Sequence, residues 1–355
     1  MHFYLVTTYN HQPFVEQAIA SIWRQYASPA DFNQRARVLI VDDASLDNTQ
    51  GELERLATQY PNLRVRFNAS HQGSGKTRNQ LLDWLYTQIV VADDHVIFLD
   101  GGHMLARHHL RHKLSLFARD PELDVVGGQL QFFYMDGRPD HIVDTFSLDP
   151  EIQEIAHLFE CHFYASNAMF RGDVFKRPHM RFPETQTADD WLFFALQPLR
   201  KRHAEEVTLM CRQHTSGDSK STEALSSNRQ LRHTAHRLWA LRIGVHLSHE
   251  ECELLDLVGY LSFQLRIGAQ ASTNVNAKMP GALEIKEQSY ALTHWADARK
   301  ALHTLFQKLL DNNARISCYS PPKLKSFLEG ILKLADQDAR DRRRFPDSAP
   351  GGHGR

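Results

Sequence analysis

Cysteine is scarce and long apolar runs are missing. Four cysteines (Cys161, Cys211, Cys252, Cys318) in 355 residues stand far apart, with no CxxC pair, so neither a disulfide framework nor a cysteine zinc site is expected. No apolar stretch approaches the ~18 residues of a membrane span. The chain enters an alternating strand directly from Met1, so no secretory leader is expected. An excess of one charge is also missing: 41 Lys and Arg stand against 42 Asp and Glu, a net charge of −1. That balance argues against a dedicated nucleic-acid binder, which carries a basic surplus. What is present is an ordinary globular mixture, 42% apolar and 23% charged, on a chain long enough for one large domain or two of usual size. Together these features predict a protein of the cytoplasm.

The first two hundred residues alternate strand and helix. Strands are expected at Phe3–Thr7, Arg37–Val41, Leu63–Phe67 and Val96–Leu99, and helices at Pro13–Gln25, Asn48–Tyr60 and Lys76–Thr87. The short, nearly all-apolar strands are those of a parallel sheet covered on both faces, and the alternation predicts an α/β fold with a mostly parallel, Rossmann-like sheet. Ligands of such sheets bind at the carboxyl ends of the strands, where Asp42, Asp43 and Asp100 stand. From about Leu225 helical spacing takes over (Arg229–Leu247, Glu250–Ile267, Leu292–Leu310, Lys323–Leu334). The expected division is therefore 1–222 for the α/β domain, 223–335 for a helical domain, and 336–355 for a disordered, charge-rich tail.

Six segments carry the chemistry. They are Val6-Thr7-Thr8-Tyr9-Asn10, Val41-Asp42-Asp43-Ala44-Ser45 with Asp47-Asn48-Thr49, Gly75-Lys76-Thr77-Arg78-Asn79, Phe98-Leu99-Asp100-Gly101-Gly102-His103, Ala188-Asp189-Asp190-Trp191, and Arg212-Gln213-His214-Thr215-Ser216. In this order they resemble the motifs of the family 2 inverting glycosyltransferases of the GT-A fold, over roughly residues 3–221. The resemblance implies a nucleotide-sugar donor, with a UDP-sugar suggested by Asp42 and Asp43, whose carboxylates suit the imide N–H of uracil. Thr8, Tyr9, Asn10, Arg78, Asp100 and Arg212 would complete the donor site, Tyr9 by stacking on the base. Asp190, with Asp189 next to it, would be the general base that deprotonates an acceptor hydroxyl. The acceptor (glycan, lipid or protein) is left open. The helical region is a candidate for acceptor recognition, homodimer formation, or peripheral contact with the inner face of a membrane.

The fourth segment departs from the family pattern. Where the family has the second acid of its DxD motif, this chain has Gly102. A divalent metal, Mn²⁺ or Mg²⁺, is implied by the family, and Asp100, His103 and His214 are the ligands left to hold it. Metal-free neutralisation of the diphosphate by Lys76, Arg212 or the histidines is the alternative. Other readings remain open: Asp189 and Asp190 also suit the start of a helix, where acids favour the dipole, and Asp42 and Asp43 suit a capped turn. Gly102 would also fit a catalytically degenerate binding module. Finally, Ser70–Thr77 has the look of a phosphate loop, although its first required glycine is Ser70.

Overall fold

The computed structural model describes residues 1–88, 90–135, 140–143, 163–185, 189–213, 231–238, 240–241, 244–256 and 295–312, with 325–326, 329–330, 332–333 and 336. The chain divides into two compact units, Met1–Ser147 with His162–Gly217, and Leu148–Cys161 with Asp218–Arg355. In the second unit, helix is described at 231–238, at 249–256 and at Trp295–Asn312. The expected tail beyond Asp336, the boundary near Ser219–Ser227 and half of Lys323–Leu334 lie outside the described residues. No helix among the described residues is long and apolar enough to cross a membrane.

The first unit is built on one sheet. Its strands are β1 (His2–Thr8), β2 (Ala36–Asp42), β3 (Leu63–Phe67), β4 (His95–Asp100), β5 (Met104–Leu105), β6 (Val125–Tyr134), β7 (His141–Val143), β8 (Met169–Arg171) and β9 (Lys201–Gln213). The order is β3-β2-β1-β4-β8-β6-β9-β5, with β7 paired to β6. The half β3-β2-β1-β4 is wholly parallel, whereas β8 runs antiparallel to both β4 and β6. The helices are α1 (Val15–Trp23), α2 (Pro29–Arg35), α3 (Thr49–Gln59), α4 (Ser74–Leu85), α5 (His109–Arg119) and α6 (Asp189–Leu196).

Strand period explains why these runs are apolar throughout. Successive side chains leave opposite faces, and both faces of this sheet are covered. Tyr4, Val6, Val38, Ile40, Ile97 and Leu99 pack with Val15, Ile22 and Leu53 of α1 and α3 on one face. Phe3, Leu5, Leu39, Val41, Val96 and Phe98 pack with Leu81, Leu82 and Leu85 of α4 and Phe193 of α6 on the other. Each large side chain so buried contributes roughly 1.5–3 kcal/mol before entropy is counted. Phe182 and Phe193 stack at 4.3 Å, and Phe170 and Phe175 close around Phe193. This aromatic cluster seats α6 against β4 and β8, in the middle of the sheet, and so fixes where its first residues, Asp189 and Asp190, emerge.

Helix α2 was not expected from the sequence, although its start is written there. Ser28 caps it by accepting from the Asp31 amide, and Pro29 stands in the first turn, where a missing N–H costs nothing.

Candidate active site

The carboxyl ends of β1, β2 and β4 lie side by side. In register, Thr8 is opposite Asp42 and Thr7 opposite Asp100. The threonine hydroxyls donate to those carboxylates, Thr7 to Asp100 at 2.8 Å and Thr8 to Asp42 at 2.9 Å.

Asp42 is fully occupied inside the loop. Besides Thr8 it accepts from the amide and hydroxyl of Ser45 and from Gln50. Asn10, in the left-handed region at φ 55°, accepts from the Leu46 amide at 2.7 Å and donates its own amide to Ser45. Thr8 and Asn10 thus tie the loop after β1 to the loop after β2. Asp43 organises a third loop: its carboxylate accepts from Asn68 (2.8 Å), Gln72 amide (2.9 Å) and Gly73 amide (2.8 Å). Those amides are the ones a phosphate loop would offer to a phosphate; here the protein's own carboxylate fills the nest, which removes the phosphate-loop reading of Ser70–Thr77.

The ring of His71 lies against Tyr9, with centroids 4.2 Å apart, and its Nδ1 is 3.1 Å from Asp43 Oδ2. A carboxylate can only accept, so Nδ1 carries the proton.

The next group centres on Arg78, which is 4% exposed. Its guanidinium forks between Asp100 (2.9 and 3.3 Å) and Asp189, with Ser74 donating to the other oxygen of Asp189 at 2.6 Å. Burial alone would raise the Asp100 carboxyl, but the Arg78 charge, His103 and the Thr7 hydroxyl outweigh it and hold it below the usual carboxylate range. Among the described residues Asp190 has no such cation in contact. It takes its neighbour's Trp191 amide at 2.8 Å, with the Ala165 amide 3.5 Å away. Burial first, and the charge of Asp189 second, push its carboxyl up to about 6. Both acids do open helix α6, so helix start and paired carboxylates are properties of one segment.

Gly75 makes this geometry attainable. A Cβ there would stand 2.0 Å from the Pro183 carbonyl oxygen and 3.1 Å from Asp189 Cβ. We expect Gly75→Ala to lower stability by about 1–3 kcal/mol through overpacking and to lower turnover as well. A denaturant midpoint equal to that of the parent would show that α4 and α6 yield freely.

Arg212, near the end of β9, closes the far side. Its guanidinium lies between Phe14 (4.4 Å) and Phe133 (4.6 Å), donates to the Gly102 carbonyl at 3.1 Å and to Gln17 at 2.6 Å. His103 Nε2 is 3.5 Å from Cys211 Sγ. His214 lies outside the described residues.

Residues 4–178 match the family model described as glycosyl transferase family 2. This part of the chain is a family 2 glycosyltransferase domain. The solved structures it resembles include S. aureus TarS 1–349 in complex with UDP-GlcNAc, at 17% identity and TM-score 0.52 over 97% of this chain and 91% of that one. TarS 1–349 in complex with UDP is another, at 18% identity and TM-score 0.50 over 98% and 92%. These likenesses establish a GT-A fold. No curated protein matches the sequence.

The metal implied for a family 2 glycosyltransferase finds a poor donor set here. Gly102 offers no ligand, and a Cβ at that position would meet His11 Nε2 at 3.0 Å, so the imidazole stands where an acid would begin. Both oxygens of Asp100 are engaged by Arg78. Among the described residues, no three His, Cys, Asp or Glu side chains converge at this turn. Mg²⁺ and Mn²⁺ favour sites rich in oxygen ligands, which these residues do not fit. Sequence reasoning missed His11, His71 and Ser74; the empty position at Gly102 was the signal that could have pointed to His11.

Proposed function

We propose that the domain is an inverting glycosyltransferase, moving a sugar from a UDP-sugar to an acceptor hydroxyl with Asp190 as general base. The observation that carries this reading is the unpaired, raised carboxyl of Asp190 beside the Arg78–Asp100–Asp189 network. A base near 6 is mostly ionised at neutral pH and still holds a proton well, the compromise general-base catalysis needs. In the step itself the acceptor oxygen attacks the anomeric carbon and its proton passes to Asp190. The bond to the diphosphate breaks on the opposite face, which inverts the anomeric configuration. Asp189, held by Arg78 and Ser74, positions Asp190 and keeps its carboxyl raised.

His71 supports a uracil nucleotide. It stacks on Tyr9 and donates one N–H to Asp43, the two contacts a uracil ring makes through its face and its imide. Its side chain is 35% exposed, so it can leave. The base takes its place, and Asp42 acts one loop away by holding Ser45 and Gln50. We assign the diphosphate to the turn at Asp100–His103, where His11 and His103 stand.

Calorimetry with UDP, GDP and ATP, each in Mn²⁺ and in EDTA, tests this. UDP should bind in both media and bind more tightly to His71→Ala than to the parent. A preference for ATP, or UDP affinity lost in Asp190→Asn but kept in Asp43→Ala, would overturn the assignment of the base slot. UDP binding that vanishes in EDTA would overturn the metal-free diphosphate site.

A further inference from the structure

A second cluster of ligating side chains lies in the helical unit, formed by residues with no part in sugar transfer. His249, Glu253 and Asp256 follow one another at four- and three-residue spacing on the helix 249–256, which sets them on one face. His233, on the helix 231–238, meets that face. Its Nε2 is 3.0 Å from Asp256 Oδ2 and 3.7 Å from Glu253 Oε1, and His249 Nε2 is 3.5 Å from the same Glu253 oxygen. The ligand atoms of His233, His249 and Glu253 all lie within 4.8 Å of one another. Donors about 2.0–2.2 Å from a tetrahedral ion stand roughly 3.3–3.6 Å apart, so the 3.5 and 3.7 Å separations already suit an ion and the remaining pair has to close by at most about 1.5 Å.

From this geometry we propose that His233, His249 and Glu253 bind one divalent transition metal of the Zn²⁺ class.

The donor chemistry favours it. Two imidazoles and one carboxylate, with water in the fourth position, form a borderline donor set suited to Zn²⁺ better than to Mg²⁺ or Ca²⁺. Arg232 holds both oxygens of Asp256, Nε to Oδ1 at 3.1 Å and Nη2 to Oδ2 at 3.4 Å, which leaves that carboxylate an outer-shell neighbour of His233 and not a ligand. His233 is buried whereas the His249 side chain is 67% exposed, so an entry path exists. Without metal, His233 Nε2–H donates to Asp256. Binding requires that proton to move to Nδ1 through solvent, freeing the Nε2 lone pair. A simpler role, a helix-to-helix ion pair, accounts for Arg232, Asp256 and His233 but leaves the convergence of His249 on Glu253 without a purpose.

The full chain, stripped with EDTA and dialysed, is titrated with Zn²⁺ against a chromophoric chelator and with Co²⁺ for its visible spectrum. The parent should take up one tight Zn²⁺ and give the intense absorption of tetrahedral Co²⁺. His249→Ala and Glu253→Gln should each weaken Zn²⁺ on the order of tenfold or more, since even outer-shell changes cost that much. Because His249 is exposed, His249→Ala should leave the metal-free unfolding midpoint unchanged, which separates lost ligation from lost folding. No tight Zn²⁺ in the parent, or equal affinity in the parent and both variants, would overturn the site.

Discussion

Asp190→Asn is expected to reduce sugar transfer about 10³-fold, within the range a positioned base contributes, while UDP affinity stays near that of the parent. The amide keeps the shape and can still meet the Trp191 N–H, so the start of α6 should not move. The pH profile supplies a second check. The folded Asp190 carboxyl is raised to about 6, so kcat/KM in the parent should fall as pH drops through 6, where the base becomes protonated. In Asp190→Asn that acid limb should disappear from the residual rate. Because the shift is upward, the same group opposes folding as pH rises: its contribution is fully present below the ordinary carboxylate range and is lost through pH 6. Activity and stability should therefore diverge between pH 5 and 7. A variant with parental turnover would remove Asp190 from the chemistry.

The second large effect is on stability. Arg78→Met preserves length and apolar contact but leaves the half-buried Asp100 and the buried Asp189 without their cation, a loss of about 3–5 kcal/mol. The sign with pH follows from Asp100, whose carboxyl is held low in the fold. In the parent that depression contributes stability above the unfolded carboxylate range, and the contribution is lost as pH falls through the depressed folded value. The variant lacks it, so the gap between variant and parent should be widest at about pH 7 and narrower at about pH 2.5, below the unfolded carboxylate range. Denaturant midpoints at the two pH values measure this. A gap that does not change with pH would mean Arg78 acts through packing against Phe182, whose ring centroid is 5.6 Å away, instead of through charge.

The fold of the first two hundred residues was legible where physics leaves a strong periodic trace. Buried runs such as Val38–Val41 and Val96–Leu99 must be apolar on both faces, so the parallel half was found to within about two residues. Strand β9 reads KRHAEEVTLMCRQ, and its mixture of charged and apolar positions hides the period. The residue types of the site were legible too, but their partners were not. Nothing in Val41-Asp42-Asp43 tells that one carboxylate goes to Thr8, Ser45 and Gln50, and the other to an amide nest 25–30 residues on. Hydrogen-bond direction is settled by loop geometry, which a single sequence encodes only through its long-range contacts. For His214 the question lies outside the described residues.

The pair Arg78–Asp189 spans 111 residues of chain, whereas Arg78–Asp100 spans only 22. In the order of synthesis Arg78 and Asp100 are therefore made close together, and Asp189 follows 89 residues after Asp100. Contacts of such separation form slowly, because the chain between them must be ordered first. On the proposed reading, the loops after β1, β2 and β4 that face the nucleotide are made before the segment that carries Asp190. A chain ending before residue 189 would keep those loops and, lacking Asp190, would have no means of activating an acceptor.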